Sequence, residues 1–146
     1  MPVETTERLR EENYGLLEGH TADEIQADPK LAAILRHRKH HQSAHDDDGS
    51  ETREASLQRA ADVLQSLDVR FGAHEHVVVV THGGFIINCF RHVNGFAAGH
   101  PVVKEKKCPK IPNTSVSIVE SQGASFSGLS WGLVPHLDTH LAPHDS

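Results

Sequence analysis

The fold can be read from Val77-Val78-Val79-Val80-Thr81-His82-Gly83-Gly84-Phe85. Four consecutive valines are too apolar for a strand with one wetted face. They predict a strand buried on both faces, in the middle of an α/β sheet. The run stops at a polar Thr-His pair and two glycines, and apolar residues then resume at helical spacing in Phe85, Ile86, Ile87 and Phe90. The unit is therefore strand, tight turn, helix, with His82 at the carboxyl end of a buried strand, where open α/β sheets bind ligands. The glycines are expected to let the backbone turn sharply and let an anion approach the free N–H groups of the new helix. Two readings stay open on this stretch alone: His82 contacts a phosphate or similar oxyanion, or it merely caps the turn.

Upstream, residues 48–71 predict the clearest helix. Leu57, Ala60, Ala61, Leu64, Leu67 and Phe71 recur at the spacing of one helix face. Asp48 or Ser50 is expected to cap its start and Gly72 to close it. Thr21-Ala22-Asp23-Glu24 is a capping box that starts a helix past Ile25. Pro29 suits the first turn of a second helix carrying Leu31, Ile34 and Leu35. Gly15 and Gly19 interrupt any helix near the N-terminus, so residues 1–20 predict a functional loop. Downstream, the helix after the turn should run to about Val93. Residues 96–112 form a long connection with Pro101, Pro109 and Pro112, and residues 115–119 and 126–134 predict a hairpin with Gly123 in its turn.

Composition bounds the function classes. A chain of 146 residues suggests a single domain over 1–146 with a real core. The formal net charge of −6 leaves no basic face to neutralise a duplex, so nucleic acid is not an expected partner. No apolar run is long enough for a membrane span and the N-terminus is charged, so the expected setting is cytoplasmic, without membrane attachment. The two cysteines, Cys89 and Cys108, are too far apart for a knuckle, and Cys89 falls in an apolar helix as a small core residue. Residues 36–48 are dense in His, Arg and Asp and read as a polar lid or loop, and residues 135–146 as a flexible tail. Four histidines beside three aspartates in that lid raise the idea of a metal-binding module. Their spacing matches no helical i, i+4 pair with a carboxylate partner, so a solvated loop and no metal is the expectation.

The order of motifs carries a resemblance. Leu9-Arg10-Glu11-Glu12-Asn13-Tyr14-Gly15 comes first, followed two residues on by Glu18-Gly19. Then come Gly49-Ser50-Glu51-Thr52 with Arg59, Val80-Thr81-His82-Gly83-Gly84, Asn113 with Ser115-Val116, and His140-Leu141. This order resembles the histidine phosphatase superfamily, which includes the cofactor-dependent phosphoglycerate mutases and the fructose-2,6-bisphosphatase branch. The resemblance implies a three-layer α/β/α sandwich and a phosphohistidine mechanism acting on a small phosphorylated substrate, with no cofactor. It implies that His82 holds the phosphoryl oxygens and stabilises the transition state, and that Glu11 protonates the leaving oxygen. It assigns Tyr14, Gly83 and Gly84 to substrate binding. Phosphoryl transfer needs positioned positive charge and N–H donors, which His82 at a helix N-terminus with the Gly83 N–H would supply. A carboxyl beside a bound phosphate feels like-charge repulsion, which would keep Glu11 protonated for donation.

The sequence departs from that family in two places. The family's first strand ends in Arg-His-Gly, which carries the attacking histidine, and no Arg-His-Gly occurs here. The expectation is an N-terminally incomplete domain without the first strand and helix, from a truncated or split gene, that does not turn over substrate by the family route. The lysine that the mutases place shortly after Tyr-Gly is Ala22 here, which favours a phosphatase over a mutase. The alternative expectation is a catalytically dead relative that binds a phosphorylated ligand or a protein partner. Oligomeric state is not legible from the sequence.

Overall fold

The computed structural model of the chain describes residues 3–40, 48–72, 75–96, 107–123 and 125–137. Two single 3₁₀ turns, Glu7–Leu9 and Gly15–Leu17, open the fold. They are followed by α1 (Ala22–Ala27), α2 (Pro29–His40), α3 (Arg53–Phe71), α4 (Gly83–Val93), β1 (Val116–Ser121) and β2 (Phe126–Leu133). This is an α/β chain in which, among the described residues, the sheet is an antiparallel pair, β1 against β2. None of the described helices is long and apolar enough to cross a membrane.

Local chemistry explains where the elements start. The capping box at Thr21 is complete: its hydroxyl accepts from the Glu24 N–H and the Glu24 carboxylate accepts from the Thr21 N–H. Pro29 opens α2, and the Asp28 carboxylate accepts from the Lys30 N–H at 2.7 Å and the Leu31 N–H at 3.2 Å. The N-cap of α3 is neither Asp48 nor Ser50 but Thr52, whose hydroxyl accepts from the Ala55 N–H at 3.0 Å. Asp48 is engaged elsewhere: its carboxylate accepts from the Ser50 N–H and its carbonyl from the Leu16 N–H, both at 2.9 Å.

The core lies between α3 and α4. Ala60 and Val63 of α3 meet Phe85 and Cys89 of α4, with Leu9, Leu64, Leu67 and Trp131 packed around them. Burying a ring as fully as Phe85 contributes roughly 2–3 kcal/mol. The hairpin is attached edge-on: Trp131 of β2 meets Phe90 of α4 at 5.3 Å between centroids, with ring planes at 88°. Cys89 is the core residue its position suggested. Burial pushes its thiol up to about 12, so it stays protonated.

Three expectations are corrected. Residues 77–80 are not a strand buried on both faces: they lie outside the sheet, and Val78 and Val80 are 76 % and 86 % exposed. Burial on both faces requires neighbours at both edges and cover above and below; here exposure alternates, with Val77 and Val79 partly covered and Val78 and Val80 facing out. Residues 36–40 are not loop but the last turns of α2, because Arg, His and Lys carry no helix-stop signal without Gly or Pro. Gly83 and Gly84 turn the chain without any left-handed backbone, so sharp turning is not what glycine provides there. The His41-to-Asp47 part of the lid, residues 97–106 of the long connection and residues 138–146 of the tail, with His140 and Leu141, lie outside the described residues.

Candidate functional site

Glu11 sits on a loop that the rest of the fold holds at four backbone carbonyls. Arg59 of α3 donates from Nε and Nη2 to the two oxygens of Glu51, at 2.8 and 2.7 Å. Its Nη1 donates to the carbonyls of Arg8 and Arg10, both at 2.9 Å. The Thr81 hydroxyl donates to the Leu9 carbonyl at 2.7 Å, and the Glu51 N–H donates to the Asn13 carbonyl at 2.8 Å. Arg59 thus uses the planar fork of a guanidinium to satisfy a carboxylate and two backbone carbonyls at once. The spacing of eight between Glu51 and Arg59 was visible in the sequence, but its purpose was not: it fastens the Glu11 loop to α3.

The hydrogen bonds from the Arg59 guanidinium hold the Glu51 carboxyl below its ordinary value. The pair therefore contributes stability that is fully present above the ordinary carboxylate range and is lost as pH falls through the lowered value. Urea unfolding followed from neutral pH downward should show the midpoint falling in acid, and Glu51→Gln should remove part of that fall. A pH dependence identical in the variant would contradict the assignment.

Held this way, Glu11 reaches α4. One carboxylate oxygen accepts from the Glu12 N–H at 3.0 Å and the other from the Gly84 N–H at 3.1 Å. A methyl group on Gly84 would collide with the Glu11 carboxylate. Close approach of an acid, not turn geometry, is why glycine stands there. On Gly83 a Cβ would meet nothing within 4 Å, so that side of the helix N-terminus is open. His82 is the N-cap, with extended backbone (φ −114°, ψ 164°), and its side chain makes no capping hydrogen bond. His82 therefore caps the turn through its backbone, its carbonyl accepting from the Ile86 N–H at 3.1 Å, and not through its imidazole. His82 is exposed, two residues before the N–H that holds Glu11.

Tyr14 completes the loop. Its ring lies 4.8 Å under the Arg38 guanidinium. Burial, and then the negative charges of Glu12 and Glu11, push its phenol above the ordinary value, so it remains a hydrogen-bond donor at neutral pH. Sequence reasoning missed a further polar group. Glu12 Oε1 accepts from Asn88 Nδ2 at 2.7 Å and lies 3.3 Å from Ser56 Oγ, while Arg91 Nη1 donates to Asn88 Oδ1 at 2.7 Å. The signal was present: Ser56 and Asn88 are polar residues in the apolar stripes of their helices, and each is 1 % exposed. No group of three His, Cys, Asp or Glu side chains among the described residues is placed to hold a metal ion.

A family model described as histidine phosphatase superfamily (branch 1) matches residues 1–133. The chain belongs to that superfamily. The solved structure of Bacillus stearothermophilus YhfR is similar to it with a TM-score of 0.68 and 30 % sequence identity, over 90 % of this chain. The match covers 61 % of the YhfR chain, so this chain spans less than two thirds of that relative's length. No curated protein matches the chain. Within the superfamily, whose members act on phosphorylated substrates, the approach of Glu11 to the first turn of α4 brings an acid beside backbone donors suited to an anion.

Proposed function

We propose that these residues form the phosphate-holding and proton-donating part of a phosphatase-type histidine phosphatase site for a small phosphate monoester. The observation that carries the reading is the Glu11 carboxylate on the Gly84 N–H, beside an open Gly83 and an exposed His82. A phosphoryl group lodged at Gly83 would receive the N–H donors of the first turn and a hydrogen bond from the His82 imidazole. Glu11 would stand next to it, ready to give a proton to the leaving oxygen. Tyr14, as a protonated donor, would bind the substrate from the same loop.

A second reading has its own observation, the absence of any Arg-His-Gly in the sequence. Without an attacking histidine the 146-residue chain would bind a phosphorylated ligand and leave it intact. One experiment addresses both readings. Inorganic phosphate titrated into the chain should shift the Gly83 amide resonance, and His82→Ala should weaken that binding roughly tenfold, the loss of one charge-assisted contact. Hydrolysis of p-nitrophenyl phosphate should not exceed that of the His82→Ala chain. Turnover abolished by that substitution would mean that a nucleophile is present after all. An unmoved Gly83 amide at millimolar phosphate would remove the phosphate site itself.

A further inference from the structure

We propose that Glu12 and Asn88 are positioning residues for Glu11, forming a buried lock that ties together the two N–H groups on which the Glu11 carboxylate rests. One of those donors is the backbone N–H of Glu12; the other is that of Gly84, on α4. The Glu12 side chain then crosses to α4 and accepts from Asn88, which lies four residues, one helical turn, beyond Gly84. The Glu12 backbone and the first turn of α4 are thus held in register by a single side-chain bridge at 2.7 Å. Arg91 orients that bridge. By donating to Asn88 Oδ1 it leaves only the amide nitrogen to face Glu12, so the donor points the required way. Ser56, from α3, abuts the same Glu12 oxygen and shields it.

The burial makes the arrangement selective. Asn88 and Ser56 are each 1 % exposed, so neither can exchange its partner for water, and a Glu12 side chain swung outward would leave a buried amide unmet. Two adjacent acids in the chain therefore have separate roles. Glu12 turns toward the helices and supports. Glu11 turns toward the open end of α4 and, on the function proposed above, donates the proton.

The test reads the Gly84 amide by proton–nitrogen NMR on the whole chain, with no phosphate present. Glu11→Ala sets the full displacement of that resonance when the carboxylate leaves. Glu12→Leu should reproduce most of it. Glu12→Gln keeps an acceptor oxygen for Asn88 and should reproduce little of it. Asn88→Ser, which shortens the bridge beyond reach, supplies the same reading as Glu12→Leu if the leucine variant does not fold. A folded Glu12→Leu or Asn88→Ser chain with an unmoved Gly84 amide would overturn the lock, as would a Glu12→Gln chain displaced as far as Glu11→Ala. Because phosphate is absent, failure here is distinct from failure of the phosphate site, which is read at Gly83.

Discussion

Arg59→Leu should lower the thermal midpoint of the chain by about 10 °C. Removing one partner of a buried ion pair costs roughly 3–5 kcal/mol, and for a chain of this size each kcal/mol moves the midpoint by about 2–4 °C. The premises are structural: the side chains of Arg59 and Glu51 are only 10 % and 9 % exposed, and the same guanidinium serves the carbonyls of Arg8 and Arg10. The substitution leaves a largely buried carboxylate with only Arg10, at 3.5 Å, beside it, and leaves two carbonyls without their Arg59 donor. Arg59→Lys should rescue little, because a single ammonium cannot span four acceptors arranged for a fork. The double variant Arg59→Leu with Glu51→Leu should recover part of the loss, since the orphaned charge is gone. Calorimetry decides the matter. A midpoint within about 2 °C of the parent for Arg59→Leu would mean that the pair carries little of the stability assigned to it. The Glu11 loop should also loosen, so the Gly84 amide, which depends on Glu11, should move in the same variant.

Gly15→Ala should cost at least about 3 kcal/mol, combining left-handed backbone strain with overpacking against rigid neighbours. Gly15 has φ +57°, and a Cβ there would overlap the Asp48 carbonyl oxygen and come within 2.6 Å of the Ser50 nitrogen. These are backbone atoms, and the Asp48 carbonyl is already committed to the Leu16 N–H. Neither can yield without opening the contact between the Tyr14 loop and the approach to α3. Gly19 provides the control. It is also left-handed, at φ +80°, but a Cβ there would meet nothing within 4 Å, so Gly19→Ala should cost only about 1–2 kcal/mol from backbone strain. Urea midpoints of the two variants measure the difference. Equal losses would show that the close approach at Gly15 is relieved by a small shift.

Both predictions concern residues that the sequence displays plainly but does not explain. Gly15 reads as a helix breaker, and Arg59 as one member of a spaced motif. What each does depends on segments more than thirty residues away, Asp48 for the glycine and the Arg8 and Arg10 carbonyls for the arginine. The same holds within the candidate site. The turn after the valines announced a helix N-terminus, and α4 begins at Gly83 as its residues require. That Gly84 is glycine because a carboxylate from residue 11 lies against it needed the fold.

Local signals were enough for the existence of the helices, the Thr21 capping box and the hairpin, though not for the Thr52 cap of α3 or the end of α2, because helix periodicity, a Thr/Glu box, a proline at a first turn and alternation around Gly123 act between residues only a few positions apart. Whether four valines are covered was a different kind of question. Their apolarity states a preference for burial, but burial is conferred by neighbouring segments, and in the described residues it reaches Val77 and Val79 in part and leaves Val78 and Val80 exposed. The division of labour between Glu11 and Glu12 was hidden for the same reason. Adjacent identical side chains carry identical local information, and only the placement of Gly84 on one side and Asn88 on the other makes them different.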